Sequence, residues 1–218
     1  MNGWLKVQNA SSIKRADLPD LPMEEFRQEI VQAVRGGERI ASLFAFPLTG
    51  KDSLRMVAVL AKGGEGLLRL ASADVHRAYP ALTPDCIQAH WFEREMAEQW
   101  GVEPQGHPWL KPIRFHAPHT NTNKDCTPPL PGVTEHFQME GEEIHEVAVG
   151  PVHAGIIEPG HFRFQCLGET VHHLEISLGY QHRGIERHLV GGPVSRMPHY
   201  METLAGDTTI GHASAWTQ

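Results

Sequence analysis

No apolar run in this chain comes near the roughly 20 residues that a bilayer crossing needs; the best candidate, Met56 to Ala61, has the length of a strand. The N-terminus also lacks the basic-then-apolar pattern of a secretion signal. Cysteine is scarce. Cys86, Cys126 and Cys166 stand far apart without a CxxC, so neither a zinc ribbon nor an iron–sulfur motif can be drawn, and free thiols in a reducing compartment are expected. Lysine and arginine are scattered and the formal charge is −7 with histidine neutral. The basic stripe with interleaved aromatics that nucleic-acid binding requires is therefore missing. What the chain has in quantity is histidine, 15 in 218 residues. A side chain that titrates near about pH 6.5, ligates metals and shuttles protons keeps redox and proton chemistry open. With 40% hydrophobic and 21% charged residues, the chain can bury one large core or two small ones.

Residues 1–21 show no clear period and read as a lead-in. Asp20-Leu21-Pro22 opens a helix in which Phe26, Ile30 and Val34 repeat at helical spacing, and Gly36-Gly37 stops it. Ile40 to Phe46, Leu54 to Ala61 and Gly66 to Ala71 read as strands, with turns at Pro47-Leu48-Thr49-Gly50 and Lys62-Gly63-Gly64. A second helix is expected from Pro84 to Trp100, with Phe92, Met96 and Trp100 on one face, Ile87 and Trp91 alongside, and Gly101 as its stop. These elements make an α+β domain over residues 22–103: a small antiparallel sheet with helices. Residues 104–143 hold seven prolines (104, 108, 112, 118, 128, 129 and 131) and read as an extended connection. A second module covers 144–218. Val147 to Val149, His161 to Cys166 and Val171 to Leu178 are its strands, Gly168-Glu169 is a hairpin turn, Arg183 to Val190 is a short helix, and another helix runs from Pro198. It ends in mid-pattern at Ala215-Trp216-Thr217-Gln218, so it reads as an incomplete β-hairpin-plus-helix module that more chain or a partner would cover.

The first chemical constellation is Glu93-Arg94-Glu95, then Trp100-Gly101-Val102, then Gly106-His107-Pro108. Three consecutive charges on an amphipathic helix usually mark a solvated face with one salt bridge, here Arg94 with Glu98. As an ordered set these residues resemble the 30-kilodalton subunit of respiratory complex I over roughly residues 22–115, Glu98 meeting the family's acidic position after the triplet. The resemblance implies a docking role without a cofactor.

The second constellation is Gly150-Pro151-Val152-His153, Glu158-Pro159-Gly160-His161-Phe162-Arg163, and Gly179-Tyr180-Gln181-His182-Arg183-Gly184-Ile185-Glu186. Gly160 permits a close backbone approach, while Glu158, His161 and Arg163 place an acid, a titratable base and a fixed cation together. His182, Arg183 and Glu186 sit at a strand-to-helix junction where Arg183 can fork onto a carboxylate. Each alone is an ordinary surface ion pair. The ordered set resembles the N-terminal part of the large subunit of membrane-bound, energy-converting NiFe hydrogenases such as formate hydrogenlyase, and is similar to the complex I 49-kilodalton subunit, over about residues 145–218.

That resemblance places the first nickel-binding cysteine pair at Ala205 and Thr208, with Gly206 and His212 matching. Neither Ala nor Thr can replace a thiolate on a soft metal, so a NiFe centre is not expected. Aligned on His212, the positions of a quinone-headgroup tyrosine and histidine fall at Gly206 and Pro159, so quinone binding does not carry over. The expected site is then a set of charge and proton groups: Glu158, His161, Arg163, His182, Arg183, Glu186, Asp207 and His212. The resemblance implies an iron–sulfur small subunit and membrane antiporter-like subunits as partners. It also implies iron–sulfur clusters in those partners and a peripheral location on the inner, cytoplasmic face of the cell membrane. The alternative from another class is an assembly module without chemistry of its own. A mononuclear metal at His107, His116 and His119, or at His172-His173, is disfavoured because the spacing lies on a proline-broken loop.

Overall fold

The computed structural model describes residues 3–119 and 135–217; the middle of the proline-rich connection, with Cys126, Pro128, Pro129 and Pro131, lies outside the described residues. Two compact units divide the chain, Met1–Pro129 and Leu130–Gln218.

In the first unit, β2 (Arg39–Pro47), β3 (Leu54–Lys62) and β4 (Leu67–Val75) form the expected antiparallel meander. Helix α1 (Met23–Arg35) packs on it. Its apolar stripe inserts Phe26 and Ile30 among Leu43, Met56 and Leu60, all fully buried, and each such side chain contributes roughly 1.5–3 kcal/mol. The lead-in expectation is corrected by the sheet. Residues Leu5–Gln8 form β1, which pairs antiparallel with β4 and completes the sheet order β1-β4-β3-β2. Trp4 is 8% exposed and stacks on Phe26 at 6.1 Å, under the Arg69 guanidinium. Four residues are too few for a strand period to emerge from the sequence.

The second helix is shorter than expected. A 3-10 turn, Ile87–Ala89, precedes α2 (His90–Trp100), and Gly101 ends it in the left-handed region at φ 68°. The helical phase does not extend back through the 3-10 turn, which leaves Ile87 73% exposed, and within α2 Trp91 lies about 140° around the axis from Met96 and is 54% exposed; Met96 is buried and Phe92 and Trp100 pack against the core. Beyond α2 the chain is extended, as expected, yet it is packed on its own unit. Strand β6 (Glu103–Gln105) pairs in parallel with β5 (Ala78–Pro80), and the His119 N–H donates to the Gln99 carbonyl at 2.9 Å.

The second unit holds an antiparallel sheet of β7 (Ile144–Val149), β8 (His161–Leu167) and β9 (Thr170–Ser177), in the order β7-β8-β9. Three short helices follow: α3 (Ile185–Leu189), α4 (Met197–Glu202) and α5 (Thr209–Thr217). Helix α4 packs on both neighbours, and the rings of His188 and Tyr200 stack at 5.6 Å. The described helices include none long and apolar enough to cross a membrane.

Candidate functional site

The charge triplet of α2 is not a solvated face. Three successive helical residues fan out through about 200°, and each meets a different part of the first unit. Glu93 lies three residues before Met96 on the core side and is fully buried. Its carboxylate accepts the backbone N–H groups of Leu82 and Thr83 at 2.8 and 2.9 Å, and the Thr83 hydroxyl. Burial pushes the neighbouring Tyr79 phenol far above its ordinary range, and the Glu93 charge adds to that. Arg94 donates to the carbonyls of Lys111 and Pro112 at 2.7 and 2.9 Å, while Glu95 pairs with Arg114 at 3.5 Å. One turn on, the Glu98 carboxylate accepts the N–H groups of Ile113, Arg114 and Phe115 at 2.7 to 2.9 Å. The expected Arg94–Glu98 partnership is thus replaced by a clamp that straps residues 111–115 along the helix. Charge-assisted bonds to backbone are the stronger class.

The Gly-His-Pro turn closes the same clamp. Gly106 has φ 80°, and the His107 ring stacks on His90 at 5.3 Å. His107 Nδ1 accepts the Trp109 N–H at 3.0 Å, which leaves Nε2 to donate to the His90 carbonyl at 3.3 Å. Burial, with Arg94 and His107 nearby, lowers the His90 pKa below its ordinary 6.5. A histidine whose folded pKa is depressed binds fewer protons folded than unfolded near that pH, so stability falls as pH drops through 6.5 and toward the folded value. Denaturation of the first unit at pH 7.5 and at about pH 5.5 therefore shows a loss at the lower pH that is smaller in His90→Gln.

In the second unit the β7–β8 connection carries Glu158 and delivers His161. Gly150 stands at φ 90°, and a Cβ there would collide with the Gly160 carbonyl and the His153 ring. Gly160, the glycine singled out from the sequence, has room for a Cβ in tight contact with Leu178. The close approach belongs to Gly150. The loop is pinned by His153 Nε2 on the Gly160 carbonyl at 2.7 Å, His161 Nδ1 on the Gly150 carbonyl at 3.3 Å and Gly160 N–H on the Pro151 carbonyl at 3.2 Å. Gly150→Ala costs at least about 1–3 kcal/mol in backbone strain alone, and is expected to shift the His161 ring resonances in NMR while leaving those of His90 and His107 in place.

Arg163 donates to Glu146 on β7 at 2.7 Å and, through Nε, to His161 Nε2 at 3.4 Å. The His161 ring faces His136 at 5.5 Å, and His136 lies 3.6 Å from the buried carboxylate of Glu175, which also accepts the Phe137 N–H at 2.9 Å. Gln165, also buried, bonds Glu146 and accepts the Met139 N–H. Glu146, His161, Arg163, Gln165 and Glu175 thus line one face of the sheet beneath residues 136–139. Separately, Arg183 donates to Glu158 at 3.0 Å on the surface. His182 and Glu186 are exposed on the turn before α3 and in its first turn. Asp207 is exposed in a 3-10 turn, His212 is half-buried on α5, and no side-chain bond joins these two among the described residues. No three His, Cys, Asp or Glu side chains among the described residues lie close enough to hold a metal ion.

Known proteins share much of this framework. Residues 25–129 match the family described as "Respiratory-chain NADH dehydrogenase, 30 Kd subunit". This stretch is similar to the complex I 30 kDa subunit. The α2 clamp and the Gly-His-Pro turn lie within the matched residues. Hydrogenase-4 component G of Escherichia coli (strain K12) is 33% identical over 138 residues, 54% of this chain and 23% of that protein. Formate hydrogenlyase subunit 5 of the same organism is 29% identical over 159 residues, 64% of this chain and 27% of its own. The C/D subunit of NADH-quinone oxidoreductase from Bdellovibrio bacteriovorus is 28% identical over 172 residues, 71% and 28% respectively. The chain spans about a quarter of the length of these relatives. The 71% match is longer than the first unit, which ends at Pro129 of 218 residues, so it runs beyond the 30 kDa-like domain into the second unit.

Sequence reasoning misses Glu146, Glu175 and His136 as members of the second-unit cluster. Glu146 and Glu175 are detectable in principle: each sits at an alternate strand position opposite the Arg163 side of β8. His136 gives no signal, since it lies outside any periodic segment.

Proposed function

We propose that this chain is a subunit of a membrane-associated, hydrogenase-like or complex I-like oxidoreductase, in which the 30 kDa-like domain docks on the complex and the second unit begins a large-subunit fold. The observation that carries the reading is the match of one chain to relatives from both kinds of complex, with formate hydrogenlyase subunit 5 and the NADH-quinone oxidoreductase subunit each covering more of the chain than its first unit holds. In this reading the partners are an iron–sulfur small subunit and membrane antiporter-like subunits, and the clusters reside in those partners. The chain sits peripherally on the inner face of the cell membrane. Glu158, His161, Arg163, His182, Arg183, Glu186, Asp207 and His212 act as charge and proton groups rather than metal ligands. His161 is the best built of them, its Nε2 facing Arg163 and its Nδ1 the Gly150 carbonyl. No step is assigned to nickel, iron or quinone in this chain.

A second reading, assembly without chemistry, is favoured by the exposure of Glu186 and Asp207 and by the surface position of the Glu158–Arg183 pair. The variants Arg183→Ala and Glu186→Ala, at exposed positions, cost the fold within about 0.5 kcal/mol and separate the two; His212→Ala, at a half-buried position, is read only where the assembled complex is recovered in full. Proton handling predicts at least a roughly tenfold loss of turnover in the assembled complex. Unchanged turnover with assembly intact assigns the chain to scaffolding.

A further inference from the structure

The sheet of the second unit is inside out. Directly paired residues share a face, so the ladder sorts its side chains cleanly. Glu146, Arg163, Gln165 and Glu175 occupy one side, where Gln165 is 3% and Glu175 6% exposed. Val147, Val149, Phe162, Phe164, Leu174 and Ile176 occupy the other, where Val147, Val149, Leu174 and Ile176 are 41 to 50% exposed. A two-faced sheet ordinarily buries its apolar side and wets its polar one. The second unit also buries few hydrophobic side chains of its own: Cys166 and Met201 alone fall in that class among its described residues. An open face this apolar and contiguous marks an interaction surface.

The occupant is constrained from two sides. Residues 130–218 carry eleven Asp and Glu against four Arg and no Lys, while residues 1–129 balance fifteen against fifteen. The entire net charge of −7 thus sits on the unit with the open face. An anionic lipid surface attracts cations and is disfavoured here; an apolar protein surface is not. In every relative described above the matching stretch belongs to a far longer polypeptide, of which 23 to 28% has a counterpart in this chain.

We infer that the Val147–Val149–Leu174–Ile176 face of the sheet is covered by polypeptide corresponding to the part of the hydrogenase and NADH-quinone oxidoreductase relatives that these 218 residues do not span. This rests on the functional reading above and names the surface and the partner it requires. The partner presents an uncharged aliphatic or aromatic layer, and it turns the half-exposed side chains into core.

The test is site-specific photocrosslinking in the assembled native complex, with p-benzoylphenylalanine placed at Leu174 and separately at Ile176, and at Trp91 as an incorporation control. The expected adducts from both sheet positions map, by mass spectrometry, to sequence aligning with the part of formate hydrogenlyase subunit 5 outside its matched 27%. Adducts to a second copy of this chain, to lipid, or to an iron–sulfur subunit overturn the inference, as does no adduct from either position when Trp91 reacts. Ile176→Asp and Leu174→Asp are expected to lower recovery of that partner with the tagged chain at least tenfold, with amide-exchange protection in β7–β9 of the isolated chain unchanged. Undiminished recovery counts against the inference. The functional reading fails differently, by an assembly that contains no iron–sulfur protein whatever the crosslinks show.

Discussion

Glu93→Ala lowers the stability of the 30 kDa-like domain by about 3–5 kcal/mol, because three buried donors lose their acceptor at once and each orphaned donor costs roughly 1–3 kcal/mol. The donors are the Leu82 and Thr83 N–H groups and the Thr83 hydroxyl, all in a segment where Leu82 and Thr83 are almost fully buried. The loss is less than a simple sum, since water can enter the space left by the side chain. Glu93→Gln keeps the volume and one acceptor, and recovers part of the loss; Thr83→Ala removes one donor and costs about 1 kcal/mol. Denaturant unfolding of the full chain followed by amide exchange in α2 and β3 checks the order Glu93→Ala, then Glu93→Gln, then Thr83→Ala. A Glu93→Ala effect below about 1 kcal/mol would mean that the carboxylate is a solvated surface group after all.

Trp4→Ala costs about 3–5 kcal/mol, the usual range for removing a large buried aromatic. The ring fills the space between Phe26 and Arg69, and its loss also frees the edge strand β1, whose pairing runs from Leu5 opposite Leu70 to Gln8 opposite Leu67. Trp4→Phe retains much of the contact and is expected to lose less than half as much. Removal of residues 1–8 should match or exceed the Trp4→Ala loss, measured by the same unfolding transition. An unchanged midpoint on that truncation would restore the loose lead-in that the sequence alone indicates.

The two substitutions mark where the sequence is and is not legible. The β2–β4 meander can be read because Gly or Pro turns separate its three strands, although the third runs to Val75, past the expected end at Ala71, where no Gly or Pro marks its stop; α1 can be read because Phe26, Ile30 and Val34 keep one helical face between Pro22 and Gly36. Strand β1 cannot, being four residues long with its identity fixed by pairing to residues about sixty positions away. Glu93 is hidden for a related reason. A carboxylate on a helix has no signature of burial until its donors are known, and those lie in a loop ten residues upstream. Ile87 misleads because periodicity cannot register the change from a 3-10 turn to an α-helix at His90, and Trp91 because it stands on the α2 face turned away from Met96.

In the second unit the alternation of Val147 and Val149, Phe162 and Phe164, and Leu174 and Ile176 is visible, and it places three strands correctly. Which face turns inward is not. That is decided by what covers the sheet, and residues 136–139 cover the polar side. The candidate site is legible in part. His161 and Arg163 do meet, and so do Glu158 and Arg183, whereas Asp207 and His212 stand on successive elements with no bond between them among the described residues. Chain order brings a loop and its neighbouring strand together reliably, but it cannot fix the packing of short helices with little core beneath them.

The most direct measurement is the metal and protein composition of the native assembly, purified from solubilised membranes through a tag on this chain. The account predicts an iron–sulfur protein in fixed ratio to this chain, iron in proportion to that protein, and no nickel in stoichiometric amount. Nickel at one atom per copy of this chain, or a chain recovered from the soluble fraction without any iron–sulfur partner, would contradict it.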